Sequence, residues 1–335
     1  MTYDSGSAGG FAVSNAMTRA AKRMVRSCVR LIPGWLGRTT LQRAALASPA
    51  MKTATFERIC CALARTLFPQ SKEIWMTNLG VSPDLRCQIP LAKGSYIFGR
   101  PENALSERAT LALATELCRD CTDFVDIGAN DGIFIFAINR KSNHDLRLHW
   151  FEPDQTLHDR LQANLAANSI VAVGNRAAVA AKRGTARFLK NLTDDSSGSL
   201  TDSFASKHET IVVEVDTICL NEHFRDHRIA DAIVKVDVEG AGNEVWRGAR
   251  DVASHIRYLI MEIIGPETQC RLPSKVISEG KFHAYYIKDF DLTVSRDGAS
   301  QYLAPFWNWL FCRLDPEALR ARLAGTQFRV IECAS

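Results

Sequence analysis

The sequence predicts an α/β fold built on a mostly parallel, doubly wound sheet, and three observations carry that expectation. Short apolar runs of strand character alternate with helical segments, a glycine-lined turn follows the first core run, and acids stand at the carboxyl ends of several runs. After a mainly helical region to about Gln70, residues Leu85 to Phe98 read as a short hairpin, and Ser106 to Leu117 as a helix feeding the first core strand. Core strands follow at 123–127, 147–152 and 170–175, separated by helices from Ile133 and from about Leu157 to Asn168. Ala186 to Leu189 and Thr210 to Val215 read as paired strands, with the polar stretch Asn191 to Lys207 between them as a mobile loop. Ala232 to Val238 and Tyr258 to Ile264 supply two more buried strands around a helix near Asn243 to Ala249. Tyr285 to Phe290 and Asn308 to Arg313 close the sheet as an antiparallel pair, and no internal repeat is present.

The first core strand carries the most chemistry. Phe124-Val125-Asp126-Ile127-Gly128-Ala129-Asn130-Asp131-Gly132 runs from a buried strand through a glycine turn into a helix, whose first turn offers unpaired N–H groups and a positive dipole end. Gly128 and Gly132 leave room for a ligand to approach the backbone. At the next strand end, Glu152 stands where it can bond both hydroxyls of a ribose. The glycine spacing differs from the G-x-G-x-x-G of dinucleotide sites, and Asp126 would repel a pyrophosphate. An acid there suits the ammonium of an amino-acid moiety instead. S-adenosylmethionine has that ammonium and no phosphate. The bland alternatives are a tight turn without a ligand, and a Glu152 that only caps the following helix.

Ile233-Val234-Lys235-Val236-Asp237-Val238-Glu239-Gly240-Ala241 is the second such segment. Asp237 and Glu239 emerge at the carboxyl edge of the sheet, where open α/β sheets bind ligands, and Glu262 sits near the next strand tip. Three acids can converge there, although Asp237 or Glu239 could instead cap the next helix.

The composition fits an enzyme: 335 residues, 46% hydrophobic and 23% charged. No run of about 18 apolar residues predicts a membrane span. The ten cysteines are scattered and no apolar signal segment opens the chain, which points to a reducing cytoplasm. Cys118-x-x-Cys121 lacks a second pair and reads as structural thiols, and His223-x-x-x-His227 lacks a third ligand nearby and reads as a solvated helix face. Residues 1–52 hold eight Lys/Arg against Asp4 alone, so this arm accounts for the whole net charge of +4. Arg19, Lys22, Arg23, Arg26 and Arg30 recur at helical spacing ahead of Leu31-Ile32-Pro33-Gly34-Trp35-Leu36, a pattern that suits either an anionic membrane surface or a helix docked on the domain. Nucleic acid is a poorer partner, because no reading motif accompanies the basic stretch. Residues 1–74 form the expected basic extension and 75–335 the catalytic domain.

Asp126-Ile-Gly-Ala-Asn-Asp-Gly132, Phe151-Glu-Pro153, Lys235-Val-Asp-Val-Glu-Gly-Ala241, Trp246-Arg-Gly-Ala249 and Met261-Glu262 occur in the order and approximate spacing of FkbM-type S-adenosylmethionine methyltransferases. The chain resembles that family over about residues 75–315. The resemblance implies a Rossmann-like class I methyltransferase fold with a helical N-terminal extension, and methyl transfer to oxygen, often a sugar hydroxyl of a glycan, glycolipid or secondary metabolite. It carries Asp126, Gly128, Asn130, Gly132 and Glu152 over to the cofactor site.

The chain departs from the family at Gly242, where an acid is usual, and after the third strand, where no acid is available for adenine and Asn175 or main-chain groups must serve. Two readings of different classes follow. In one the protein is an O-methyltransferase in which Asp237, Glu239 and Glu262 supply a general base or hold a divalent cation. In the other it is a cofactor-binding scaffold of a membrane-associated glycan-building complex. A nucleic-acid methyltransferase fits less well, for lack of an Asn/Asp-Pro-Pro-aromatic motif and of a lysine just after Glu262.

Overall fold

The computed structural model describes residues 108–142, 145–191, 198–202, 209–226, 228–264, 271–298 and 308–332, with two short strands upstream. The chain divides into two units, Met1–Leu105 and Ser106–Ser335. In the first, β1 (Ile74–Met76) pairs antiparallel with β2 (Arg86–Gln88), Trp75 opposite Cys87. The strand at 86–88 therefore finds its partner upstream, and residues 89–98 of the expected hairpin lie outside the described residues. So do the basic arm and the helical region to Gln70.

The second unit opens with α1 (Arg108–Leu117) and a 3-10 turn at Cys118–Asp120, followed by β3 (Asp123–Ile127), α2 (Ile133–Lys141), β4 (Arg147–Phe151), α3 (Gln155–Ala167) and β5 (Val173–Asn175). A side excursion comes next: β6 (Ala178–Val179), β7 (Gly184–Asn191), β8 (Gly198–Ser199), β9 (Thr210–Ile218) and α4 (Leu220–Asp226). The chain then returns through β10 (Ala232–Val236), α5 (Gly242–Ala249), β11 (Ile256–Glu262), α6 (Leu272–Gly280), β12 (His283–Lys288), β13 (Asp291–Ser295), β14 (Asn308–Cys312), α7 (Pro316–Arg322) and β15 (Arg329–Ile331).

The main sheet runs β15-β13-β12-β14-β11-β10-β3-β4-β5. Every pair from β11 to β5 is parallel, and β14 runs antiparallel between β11 and β12, as the sequence predicts for that pair. β3 and β10 are buried at every position, so their apolar runs are continuous, the pattern of strands covered on both faces. Val125, Val234, Val236, Leu259 and Met261 pack with Phe224 of α4, Val245 and Trp246 of α5 and Val276 of α6. On the opposite face Trp150 of β4 meets His158 of α3.

Strand order reverses between β3, which leads on to β4, and β10, which lies on its other side. Such a switch point opens a crevice at the carboxyl ends of the strands. The paired strands at 186–189 and 210–215 form, but in a separate four-stranded sheet of order β6-β9-β7-β8. Part of the stretch expected to be a mobile loop is fixed there: Gly198 and Ser199 pair with Lys190 and Leu189.

Cys118 and Cys121 are buried thiols outside any disulfide, hydrogen-bonded to carbonyls of the preceding helical turn, and burial pushes the Cys118 thiol up to about 11. They behave as the structural thiols the sequence suggests. His223 does not lie on a solvated face; its ring packs edge-on against Phe151 and Phe224 at 5.3 and 5.0 Å. His227 lies outside the described residues. No helix among those residues is long and apolar enough to cross a membrane.

Candidate active site

Between β3 and α2 the backbone turns through three left-handed residues, Gly128, Asn130 and Gly132, with φ of 79°, 51° and 78°. The turn folds onto the end of β4, where the amides of Gly128 and Ala129 both donate to the Phe151 carbonyl at 3.0 and 3.1 Å. A side chain at Gly128 would collide with the Asp237 carbonyl oxygen, and one at Gly132 with Leu161. The space these glycines leave is therefore filled by the protein, which corrects the expectation that both clear a path for a ligand. Of the two, Gly128 lines the cleft.

Glu152 follows β4 and is almost wholly buried. Its Oε2 accepts from the Asn130 amide at 3.0 Å and its Oε1 from the Asp154 amide at 2.9 Å. Burial pushes its carboxyl up to about 7, against the two amides and with help from Asp154 and Asp131. The cap of α3 is Asp154, whose Oδ1 accepts from the amides of Thr156 and Leu157, so Glu152 is not spent on capping. Asn175 ends β5 and does not line the cleft. Its carbonyl accepts from the Glu152 amide at 3.1 Å and its side chain reaches the Trp150 carbonyl at 3.5 Å.

Asp126 is 1% exposed and neither carboxylate oxygen has a hydrogen-bond partner. Lys235 Nζ stands 3.9 Å from its Oδ1, near enough for charge attraction but beyond hydrogen-bond reach. Burial raises its pKa to about 6; Lys235 opposes this and Asp237 adds to it.

Lys235 also donates to Asp237 Oδ2 at 3.0 Å and lies 4.5 Å over the ring of Phe134. Asp237 is tied to β3 by its amide, which donates to the Ile127 carbonyl at 2.9 Å, and its side chain is 25% exposed, toward the cleft it helps to line. Burial would raise the Asp237 pKa, but Lys235 and a hydrogen bond shared with Glu262 hold it below the usual carboxylate range. Glu262 is the last residue of β11. Asp237, Glu239 and Glu262 each present an oxygen within 4.8 Å of the other two, so the three acids converge as the sequence predicts. Oxygens that close can share a proton or sit around one divalent cation. Neither acid of the segment caps α5, whose N-cap is Ala241 without a side-chain bond.

A cleft partly open to solvent is lined by Gly128, Asn130 and Glu152 on one side and by Asp237, Val238 and Glu239 on the other, whereas Asp126, Lys235 and Glu262 are not among the residues that line it. The remaining walls include Leu157, Val179, Phe188, Ser199 and Leu200. Sequence reasoning passed over Lys235 and the wall from β7 and β8. A lysine within a fully buried strand is itself a signal, because its ammonium needs an acid on a neighbouring strand. Two-residue strands such as β8 carry no comparable sign.

Residues 126–290 match the model of the methyltransferase FkbM domain. No curated protein matches the sequence significantly. Among solved structures, the chain is similar to a methyltransferase FkbM from Methylobacillus flagellatus KT, at 14% identity over 82% of this chain and 57% of that one, with a TM-score of 0.36. An O-methyltransferase from Bacillus cereus in complex with S-adenosylhomocysteine is 10% identical over 61% of this chain and 78% of that one, with a TM-score of 0.36. TrmK from M. capricolum, also with S-adenosylhomocysteine, is 12% identical over 60% and 66%, with a TM-score of 0.33. The chain spans little more than half the length of the first of these.

Proposed function

We propose that the protein, whose residues 126–290 match the methyltransferase FkbM domain, is an S-adenosylmethionine-dependent methyltransferase that methylates oxygen, on a hydroxyl of a sugar, glycan, glycolipid or secondary metabolite. The observation that supports this reading most is the cluster of Asp237, Glu239 and Glu262, of which Asp237 and Glu239 line the same cleft as Glu152. A hydroxyl is a poor nucleophile until its proton is removed, and a carboxylate held ionised beside a lysine is equipped to take it.

The residues fit S-adenosylmethionine. Asp126 has two buried oxygens without hydrogen-bond partners, which suits an ammonium group as donor. Each oxygen of Glu152 accepts from one backbone amide and keeps a lone pair for a ribose hydroxyl. When bound, the cofactor supplies a methyl group already activated on a sulfonium. The protein's task is then to orient the acceptor oxygen, exclude water and receive one proton. Asp237 is the first candidate for that proton, because its Oδ2 is held by Lys235 and it lines the cleft. Glu239 and Glu262 would share the proton or complete a cation site with it.

The test is to compare glycans and lipids from cells with and without the protein by mass spectrometry. Loss of one methyl, 14 mass units, from a hydroxylated species supports the reading. Unchanged profiles, together with methyl transfer by the purified protein to nucleic acid, would overturn it.

A further inference from the structure

We propose that Ser199, on the small side sheet, is a positioning residue that sets the place of the Glu239 carboxylate; the proposal deepens the transfer reading above. Ser199 is 1% exposed and lines the cleft. Its hydroxyl donates to the Glu239 carbonyl at 2.8 Å and accepts from the Thr201 amide at 3.0 Å. The Thr201 hydroxyl lies 2.9 Å from the same oxygen. The Thr201 hydroxyl also reaches the Glu239 carbonyl, at 3.5 Å, a longer contact than the Ser199 bond.

Glu239 requires such a tie because its backbone is left-handed, with φ of 50°, and the next residue, Gly240, has φ of 92°. A β-carbon makes that conformation unfavourable, and it persists where surrounding contacts enforce it. The turn is anchored on one side by the Asp237 amide on the Ile127 carbonyl, and on the other by Ser199. Ser199 is itself held at a fixed depth. Its neighbour Gly198 pairs with Lys190, and a side chain at Gly198 would collide with the ring of Phe188, another cleft residue. The side sheet thus reaches the acidic turn through a hydroxyl to carbonyl bond between residues 40 positions apart.

Releasing that bond lets the turn relax toward ordinary φ values and carries the Glu239 carboxylate away from Asp237 and Glu262. Misplacement of a reacting group by about 1 Å costs about 10²-fold in rate. The cofactor side, with Asp126 and Glu152, makes no bond to Ser199 among the described residues.

The experiment compares wild type with Ser199→Ala in two measurements. Hydrogen exchange should quicken in the peptide covering 239–242 of the full-length variant, while calorimetric affinity for S-adenosylhomocysteine stays within about threefold. With methyl-tritiated S-adenosylmethionine and a glycolipid extract as acceptor, kcat should fall about 10- to 100-fold with little change in cofactor KM. Unchanged exchange at 239–242, or a loss confined to cofactor KM, overturns the proposal. A wild type that labels no hydroxylated acceptor would count against oxygen methylation, while the exchange measurement still decides the role of Ser199.

Discussion

Lys235 and Asp126 face each other in register across β10 and β3, yet the lysine's hydrogen bond goes past that partner to Asp237. At 3.9 Å from Asp126 and 3.0 Å from Asp237, one buried ammonium serves two strand-tip acids and leaves the oxygens of the first for another donor. Of the two acids Asp237 meets the cleft, while Asp126 lies buried with both oxygens unpartnered.

Lys235→Met removes the cation and strands two carboxylates. Breaking a buried pair from one side typically costs about 3–5 kcal/mol, and urea denaturation at neutral pH should show a loss of that order. A loss below about 1 kcal/mol would mean that the lysine is not their counter-ion.

The two cofactor-side acids separate by a different measure. Asp126→Ala deletes no protein hydrogen bond, so it should weaken S-adenosylmethionine binding by about 1–3 kcal/mol and spare stability. Glu152→Ala should weaken binding similarly and also destabilise the fold, because the amides of Asn130 and Asp154 lose their acceptor. Calorimetry and denaturation on both variants check the contrast, which fails if Asp126→Ala unfolds the protein or Glu152→Ala leaves stability untouched.

Burial raises Asp126 to about 6 and Glu152 to about 7, and this fixes two opposite pH trends. A carboxyl with a folded pKa above its unfolded value near 4 stabilises the fold fully below that unfolded value and loses the contribution as pH rises through the folded one. The ligand-free protein should therefore lose stability from about pH 4 to about pH 7. Cofactor binding calls on the ionised acids, so affinity should climb over about pH 5 to 7 and level off above. Denaturation and calorimetry across that range test both; parallel trends would contradict the assignment.

Much of this site was legible in the sequence. Acids at the ends of apolar runs gave Asp126, Glu152, Asp237 and Glu262, because a charged residue at the tip of a buried strand must face an opening or a partner. That Lys235 stands opposite Asp126 was not legible, since it depends on the register of β10 against β3, which no local pattern encodes. The glycines were legible as a turn but not in purpose: that Gly128 clears the Asp237 carbonyl is a contact across 109 residues. β15 escaped notice because a three-residue strand such as Arg329–Ile331 shows no periodicity and pairs with a distant partner.

We propose from the sequence that the basic arm holds the protein on anionic membrane. Full-length protein should sediment with phosphatidylserine-containing vesicles at low salt and be released as salt rises, each basic contact contributing about 1 kcal/mol. Deleting residues 1–52, which carry a net +7, should abolish sedimentation and preserve cofactor binding. Loss of cofactor affinity in the truncated protein would instead favour a helix docked on the domain.

The most direct test of the account is the turnover of Asp237→Asn with methyl-labelled S-adenosylmethionine on the acceptor identified by mass spectrometry, alongside its cofactor affinity. General-base assistance is worth about 10²–10⁴ in rate, so turnover should fall by that order while cofactor affinity stays nearly constant. Adding magnesium or a chelator to the wild type separates direct proton removal from a cation-assisted route. Full turnover by Asp237→Asn, or a defect confined to cofactor binding, would contradict the placement of the reaction at this acid.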